Sequence, residues 1–234
     1  MNYRMISYIL GWILIFEGLF LSVPMLTAIV YGESVLPSYL IAMGICFLIG
    51  GLLVFKKPKK KQLFAREGCV IVALSWIVLS AFGALPFLMT REIPTFIDAL
   101  FETVSGFTTT GASILSDVEK LSHASLMWRS FTHWVGGMGI LVFMLIVLPL
   151  AGGQTIYLMR AESPGPSVGK LVPKVRETAK ILYLIYISLT VIEIVLYILA
   201  GMPVFDAVTT GFSTAGTGGF GIRNDSMGSY STVL

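Results

Sequence analysis

The chain has 234 residues, of which 56% are hydrophobic and only 12% charged, and its mean hydropathy is +0.86. A soluble globular domain carries about 25% charged residues, so the composition excludes that class and indicates an integral membrane protein. The formal net charge of +3 does not indicate nucleic-acid binding, because the basic residues lie in loops between apolar segments and report orientation instead. We therefore predict no nucleic-acid partner.

Five apolar segments are long enough to cross a bilayer, which takes about 20 residues. They cover residues 5–31, 34–55, 70–89, 126–150 and 181–202. The first segment contains Glu17 and the fifth contains Glu193. A carboxylate within a membrane is a candidate functional group. We predict that both serve as structural hydrogen-bonding partners inside the bundle rather than as proton relays.

The distribution of basic residues predicts the orientation of the chain. If every segment crosses once, twelve of the sixteen Lys and Arg residues fall on one side, which the positive-inside rule assigns to the cytoplasm. These residues are Arg4, Lys56, Lys57, Lys59, Lys60, Lys61, Arg66, Arg160, Lys170, Lys174, Arg176 and Lys180. We interpret the Lys56–Lys61 run as a topology signal in preference to a binding site for anionic lipid.

One short pattern occurs twice, each time after a long apolar segment. The first copy begins at Pro94 and continues through Asp98 to the Thr/Gly-rich run 106–113, and the second begins at Pro203 and continues through Asp206 to the run 211–220. Proline in a first helical turn, followed by a carboxylate near the positive end of the helix dipole, predicts a short helix in each copy. The carboxylates are interpreted as helix caps rather than as direct ion ligands.

The Thr/Gly-rich runs that follow these helices predict an ion pathway. Irregular backbone at membrane depth is tolerated only where it is buried in protein or lines a cavity. Glycine permits backbone angles that turn carbonyls towards one axis, and threonine adds a hydroxyl acceptor. Uncharged oxygen ligands suit a weakly hydrated monovalent cation better than a divalent one. Gly136, Gly137 and Gly139 in the fourth segment predict close packing against the pore helix.

Several separate motifs resemble the TrkH potassium-uptake family of the Trk/Ktr/HKT cation transporters. They are the run 128–140 with Leu148 and Pro149, the stretch 160–180 with its Ala-Glu-Ser-Pro-Gly segment, and the stretches 212–214 and 217–220. The two helices before the first pore loop favour TrkH over its shorter relative KtrB. In that family, four helix–pore loop–helix units surround one pore, and each unit donates a filter strand with a central glycine.

The resemblance implies an all-α integral membrane protein with four parts. Two leading transmembrane helices and a basic cytoplasmic loop occupy residues 1–66, a first helix–pore loop–helix unit residues 67–150, a cytoplasmic connector residues 151–180, and a second unit residues 181–234. The second unit stops after its filter, before a closing helix. Because two of four filter strands supply only part of a cation cage, we expect residues 1–234 alone not to form a selective pore.

The resemblance also implies the site residues and the transported ion. Gly111 would be the filter glycine of the first unit, preceded by Thr109 and Thr110, and Gly218 that of the second, preceded by Gly216 and Thr217. These residues would bind potassium during uptake across the cell (inner) membrane, with no other cofactor. The implied partners are a second copy in a homodimer, a cytoplasmic TrkA-type nucleotide-binding regulatory subunit and membrane lipid.

Two alternatives to potassium uptake stay open from the residues. One is a sodium-selective or sodium-coupled transporter of the same fold. The other, more remote, is a polytopic membrane enzyme using Glu102, Asp117 and His123, whose spacing does not build a convergent acid–base or metal set. We predict a non-enzyme. Channel-like flow and coupling to protons or sodium are left open, since both suit the same filter.

The orientation is testable by cysteine labelling. Cysteines introduced at Lys59 and Lys170 should react with an impermeant reagent only from the cytoplasmic side, and a cysteine at Asp117 only from the outside. Labelling of positions 59 and 117 from the same side would contradict the five-segment topology.

Overall fold

The computed structural model describes residues 2–55, 57–58, 65–139 and 175–230. The regular elements of these ranges are helices. In chain order they are α1 (Tyr3–Phe20), α2 (Ser22–Tyr31), α3 (Leu36–Phe55), α4 (Ala65–Gly83), α5 (Leu85–Thr90), α6 (Phe96–Phe107), α7 (His123–Met138), α8 (Val175–Leu199) and α9 (Val204–Ala215), with a short 3-10 turn at Val118–Lys120 before α7.

Four of the five predicted membrane segments appear as helices of sufficient length and apolarity. They are Tyr3–Tyr31, formed by α1 and α2, then Leu36–Phe55, then Arg66–Thr90 across α4 and α5, and Lys180–Leu199 within α8. The predicted fourth segment begins as α7, and residues 140–150 lie outside the described part of the chain, as does most of the predicted connector. The fifth segment begins within one residue of its predicted start, although α8 itself already begins at Val175 and ends at Leu199.

Helix α7 lies at the centre of the described bundle. Its Trp128 is fully buried and donates from Nε1 to the carbonyl oxygen of Gly83 in α4 at 2.8 Å. The ring of Phe131 lies 5.7 Å from that of Phe20 in α1 and 5.4 Å from that of Phe212 in α9. Through these aromatic contacts α7 packs against the leading helices on one side and the second repeat on the other.

Two carboxylates from other parts of the chain cap the start of α7. Glu33, after α2, accepts from the backbone N–H groups of His123 and Ala124 at 2.6 and 3.1 Å. Glu92, after α5, accepts from the backbone N–H of Ser122 at 2.6 Å. Charge-assisted bonds at the positive end of a helix are among the stronger ones. They fix the outer loops of the leading helices to the same helix end.

Helices α1 and α3 approach each other through two glycines. A Cβ built on Gly50 would lie 2.7 Å from the backbone oxygen of Gly11 and 2.9 Å from Cγ1 of Ile15. The neighbouring Gly51 is exposed and has no atom within 4 Å of such a Cβ. Small residues at a contact let two membrane helices pack backbone to backbone, so Gly50 is a contact residue and Gly51 is not.

This pair of neighbours gives a matched test of the helix contact. In the full-length protein, Gly50→Ala should lower the free energy of unfolding by about 1–3 kcal/mol, because α1 and α3 must separate to admit the methyl group. Gly51→Ala should be neutral or raise it by up to about 1 kcal/mol through helix propensity. Thermal unfolding of both purified variants checks this, and equal melting temperatures would rule out the close contact.

Candidate functional site

The two repeats fold into short helices that match residue for residue. Helices α6 and α9 each contain twelve residues, and Asp98 and Asp206 are the third residue of each. Thr95 caps α6 by accepting from the backbone N–H of Asp98, and its hydroxyl also bonds to the Asp98 carboxylate. Pro203 occupies the capping position of α9. Pro94 therefore lies just before its helix, and the prediction of a first-turn proline was wrong because Thr95 takes the cap.

The loops after the two helices follow the same backbone path. Thr109 and Thr217 both have positive φ, at 53° and 59°, and Gly111 and Gly219 follow with 74° and 77°. Each positive-φ residue lies at the same distance from the end of its helix. In backbone geometry, Gly219 rather than Gly218 is therefore the counterpart of Gly111.

The hydrogen bonds of the two loops match in the same way. The backbone N–H of Thr110 donates to the carbonyl oxygen of Ser105 at 2.9 Å, and that of Gly218 donates to Ser213 at 3.0 Å. Each bond closes the last turn of its helix at the equivalent position. The two loops are thus structural copies, although their sequences share few residues.

A threonine with positive φ is a backbone outlier. The left-handed region suits glycine, and a β-branched residue there costs about 1–3 kcal/mol unless its surroundings impose it. Thr109 and Thr217 both adopt it at the equivalent position. Arg91 and Ser226 also have positive φ, so the two loops are distinguished by carrying a β-branched residue in this conformation at the equivalent position.

The two loops meet backbone to backbone. A Cβ on Gly111 would collide with the carbonyl oxygen of Gly218, so the first loop can approach the second only with glycine at this position. Thr110, Thr217 and Gly219 are exposed on the loops. The arrangement presents two adjacent strands that carry backbone carbonyls and threonine hydroxyls.

Glycines of α7 allow the same close approach to both helix–loop units. A Cβ on Gly136 would collide with the carbonyl oxygen of Phe107 at the end of α6. A Cβ on Gly137 would lie 2.7 Å from Cα of Gly216 at the end of α9. The predicted packing against the first short helix is confirmed at Gly136, whereas Gly137 packs against the end of the second short helix.

A buried ion pair joins α7 to both loops. Arg129 and Glu102 are 2% and 1% exposed, and Nε of the arginine donates to the carboxylate at 2.6 Å. Nη2 donates to Oγ of Ser113, beyond the first loop, at 3.2 Å, and Nη1 donates to the carbonyl oxygen of Gly221, beyond the second, at 3.0 Å. The carboxylate of Glu102 also accepts from the hydroxyl of Ser113 at 3.0 Å.

The ring of Phe220 connects the second loop to α7. It lies 4.0 Å from the guanidinium carbon of Arg129 and 4.0 Å from the ring centroid of His133, with which it is stacked. Its backbone N–H donates to Nδ1 of His133 at 3.4 Å, and the same imidazole leaves room only for glycine at Gly218. The sequence signal for this contact is the position of His133, one turn after Arg129 on the glycine-bearing face of α7.

The three residues of the enzyme alternative have separate partners. Glu102 pairs with Arg129, whereas His123 is within 3.0 Å of Glu33 through Nδ1. Asp117 is held by the side-chain amide of Asn224 at 2.8 Å. The hydrogen bonds from Asn224, followed by that from the adjacent Lys120, lower the pKa of Asp117. This contact ties the outer ends of the two loops together instead of building an acid–base set.

The two intramembrane carboxylates differ in their surroundings. Glu193 accepts from the hydroxyl of Tyr197 at 2.9 Å, so the predicted structural role is supported there. Glu17 is fully buried, and neither of its oxygens has a hydrogen-bond partner among the described residues. Its carboxylate lies beside Gly83 of α4, together with the side chains of Thr103 and Phe107 of α6. The prediction of a hydrogen-bonding role for Glu17 is not met in the described part of the chain.

The chain is similar to known proteins in sequence and in fold. The profile of the TrkH cation transport protein family matches residues 36–234. The Trk system potassium uptake protein TrkH of Salmonella typhimurium is 40% identical over 234 residues, which cover 98% of this chain and 48% of the relative. An uncharacterized cation transporter of Methanocaldococcus jannaschii is 34% identical and covers 95% of this chain.

The fold agrees with the sequence comparison. The crystal structure of the potassium transporter TrkH from Vibrio parahaemolyticus matches with a TM-score of 0.81 and 35% identity, covering 99% of this chain and 47% of that structure. The chain spans about half the length of the relatives that it matches. With the family profile matched over most of its length, this multi-pass membrane chain belongs to the TrkH cation transport protein family.

Proposed function

We propose that the chain forms part of a potassium uptake permease and contributes two strands of its selectivity filter. The strands are Thr109, Thr110 and Gly111 in the first unit, and Gly216, Thr217, Gly218 and Gly219 in the second. The observation that carries the proposal is the pair of positive-φ threonines at the ends of two equivalent half-length helices. Gly219 takes the place of Gly218 as the partner of Gly111.

The helices provide a field that favours a cation at these strands. Asp98 and Asp206 lie at the positive ends of α6 and α9, and the loops lie at the negative ends. The last carbonyls of a helix carry a partial negative charge, which stabilises a nearby cation. Half-length helices with termini at membrane depth are used in this way in transporters. The filter therefore needs no carboxylate of its own.

The choice of potassium over sodium as the transported ion is supported by the relatives, several of which are potassium uptake proteins. Carbonyl and hydroxyl oxygens replace the hydration shell of an ion, and the width and number of these ligands decide between the two ions. A sodium-selective transporter of the same fold is the alternative. The ratio of potassium to sodium flux separates the two.

The remaining half of the relatives' length suggests what completes the pore. Two strands supply part of an oxygen cage, so we propose that further units of the full-length protein supply the others. The relatives belong to the Trk system by name. A TrkA-type cytoplasmic regulatory subunit and a second copy of the chain are the proposed partners.

The filter assignment is testable by serine substitutions with a matched control. In the full-length protein reconstituted in liposomes, Gly111→Ser and Gly219→Ser should each lower the potassium/sodium flux ratio by at least about fivefold. We expect the displaced ligands to cost potassium binding about as much as one lost hydrogen bond, about 1 kcal/mol, which corresponds to that factor. The added side chain disfavours positive φ, and at position 111 it also collides with Gly218.

Gly32 provides the control. It has φ of 64° and open space around it, at the end of α2 and away from the loops. Gly32→Ser carries the same backbone strain and should leave the flux ratio unchanged. Parental ratios in both loop variants would exclude these glycines from the filter, and absence of potassium flux from the full-length protein would exclude the permease.

A further inference from the structure

The donors of Arg129 end on three segments that are far apart in sequence. Nε reaches Glu102 in α6, Nη2 reaches Ser113 after the first strand, and Nη1 reaches the Gly221 carbonyl after the second. We propose that Arg129 is a positioning residue for ion selectivity, whose guanidinium sets the separation of the two filter strands. The inference rests on the proposed function of these strands and names a determinant outside them.

The guanidinium is suited to this role because it is planar and rigid. Its donors form a fixed fork, so groups bound to two of its nitrogens are held at a constant separation. Arg129 is 2% exposed, which keeps water from competing for these bonds. The ring of Phe220 lies against the guanidinium, and the backbone N–H of Phe220 donates to His133. Phe220, at the end of the second strand, is therefore held between Arg129 and His133 of α7.

A shift at this fork reaches the strands through short connections. Ser113 follows Gly111 by two residues, and Gly221 follows Gly219 by two. The strands are also in contact at Gly111 and Gly218, where a Cβ would not fit. The contact between Gly111 and Gly218 limits how closely the strands approach, and the bonds of Arg129 to Ser113 and Gly221 limit how far they separate. The strands therefore have one allowed separation. Ligand spacing of this kind is what distinguishes potassium from sodium in an oxygen cage.

Arg129→Lys separates this role from charge neutralisation. Lysine keeps the positive charge beside Glu102 but replaces the fork by a single ammonium, which cannot hold Ser113 and Gly221 together. In reconstituted full-length protein, we expect the potassium/sodium flux ratio to fall at least about fivefold, as for loss of one charge-assisted hydrogen bond. Potassium flux itself should persist.

Arg223→Lys is the matched control. Arg223 also pairs with a carboxylate of a short helix, Asp206, at 3.3 Å, but its side chain is 43% exposed and does not join the two strands. Its replacement by lysine should leave the flux ratio at the parental value. A fall of equal size in this variant would attribute the effect to ion pairs in general and overturn the proposal.

Ser113→Ala keeps the proposal testable if Arg129→Lys does not fold. Removing this hydroxyl breaks the direct bond between the guanidinium and the first strand, and leaves both the Arg129–Glu102 pair and the bond from the Ile114 backbone N–H to Glu102 intact. The flux ratio should fall in the same direction, by less than in Arg129→Lys. A parental flux ratio in every variant that folds would overturn the proposal. Loss of potassium flux with an unchanged ratio would overturn it as well, because that is the result expected of a merely structural residue. Absence of potassium flux in the parent would instead reject the proposed function.

Discussion

The buried pair of Arg129 and Glu102 constrains the rest of the described structure. Two charges removed from water are tolerated only when paired and hydrogen-bonded, and loss of one partner costs about 3–5 kcal/mol. Here every bond of the guanidinium goes to a group that belongs to a helix–loop unit. Helix α6, helix α7 and the ends of both loops can therefore move only together.

The pair can form only because α7 carries no bulk where it meets the loops. Gly136 and Gly137 bring its backbone against the ends of α6 and α9, at a cost in helix propensity of about 1 kcal/mol each. Close approach then brings Arg129 and His133, which lie on the same face, within reach of both loops. Glycine packing and charge pairing are thus two parts of one contact between α7 and the loops.

Local sequence patterns predicted the features that local physics controls. Long apolar runs gave the membrane helices, and a carboxylate in the first turn marked both short helices. The backbone equivalence of Gly111 and Gly219 follows from the helix starts and could not be taken from the Gly-Phe pairs at 106–107 and 211–212, which align Gly111 with Gly216. The partners of Arg129 are up to 92 residues away, and no periodicity indicates a contact over that separation. An arginine inside an apolar segment was nevertheless a reason to search for a buried acid.

The two units are copies in backbone but not in the way they are held. The seventh residue is Glu102 in α6 and Thr210 in α9, so the second helix has no carboxylate at the position equivalent to Glu102. Its loop depends on the arginine of the first unit, through Gly221 and Phe220. The buried Asp206 of α9 instead binds Arg223 and Tyr230, which follow the loop. The first unit can form its ion pair without the second, whereas the second acquires its inner anchor only by docking against α7.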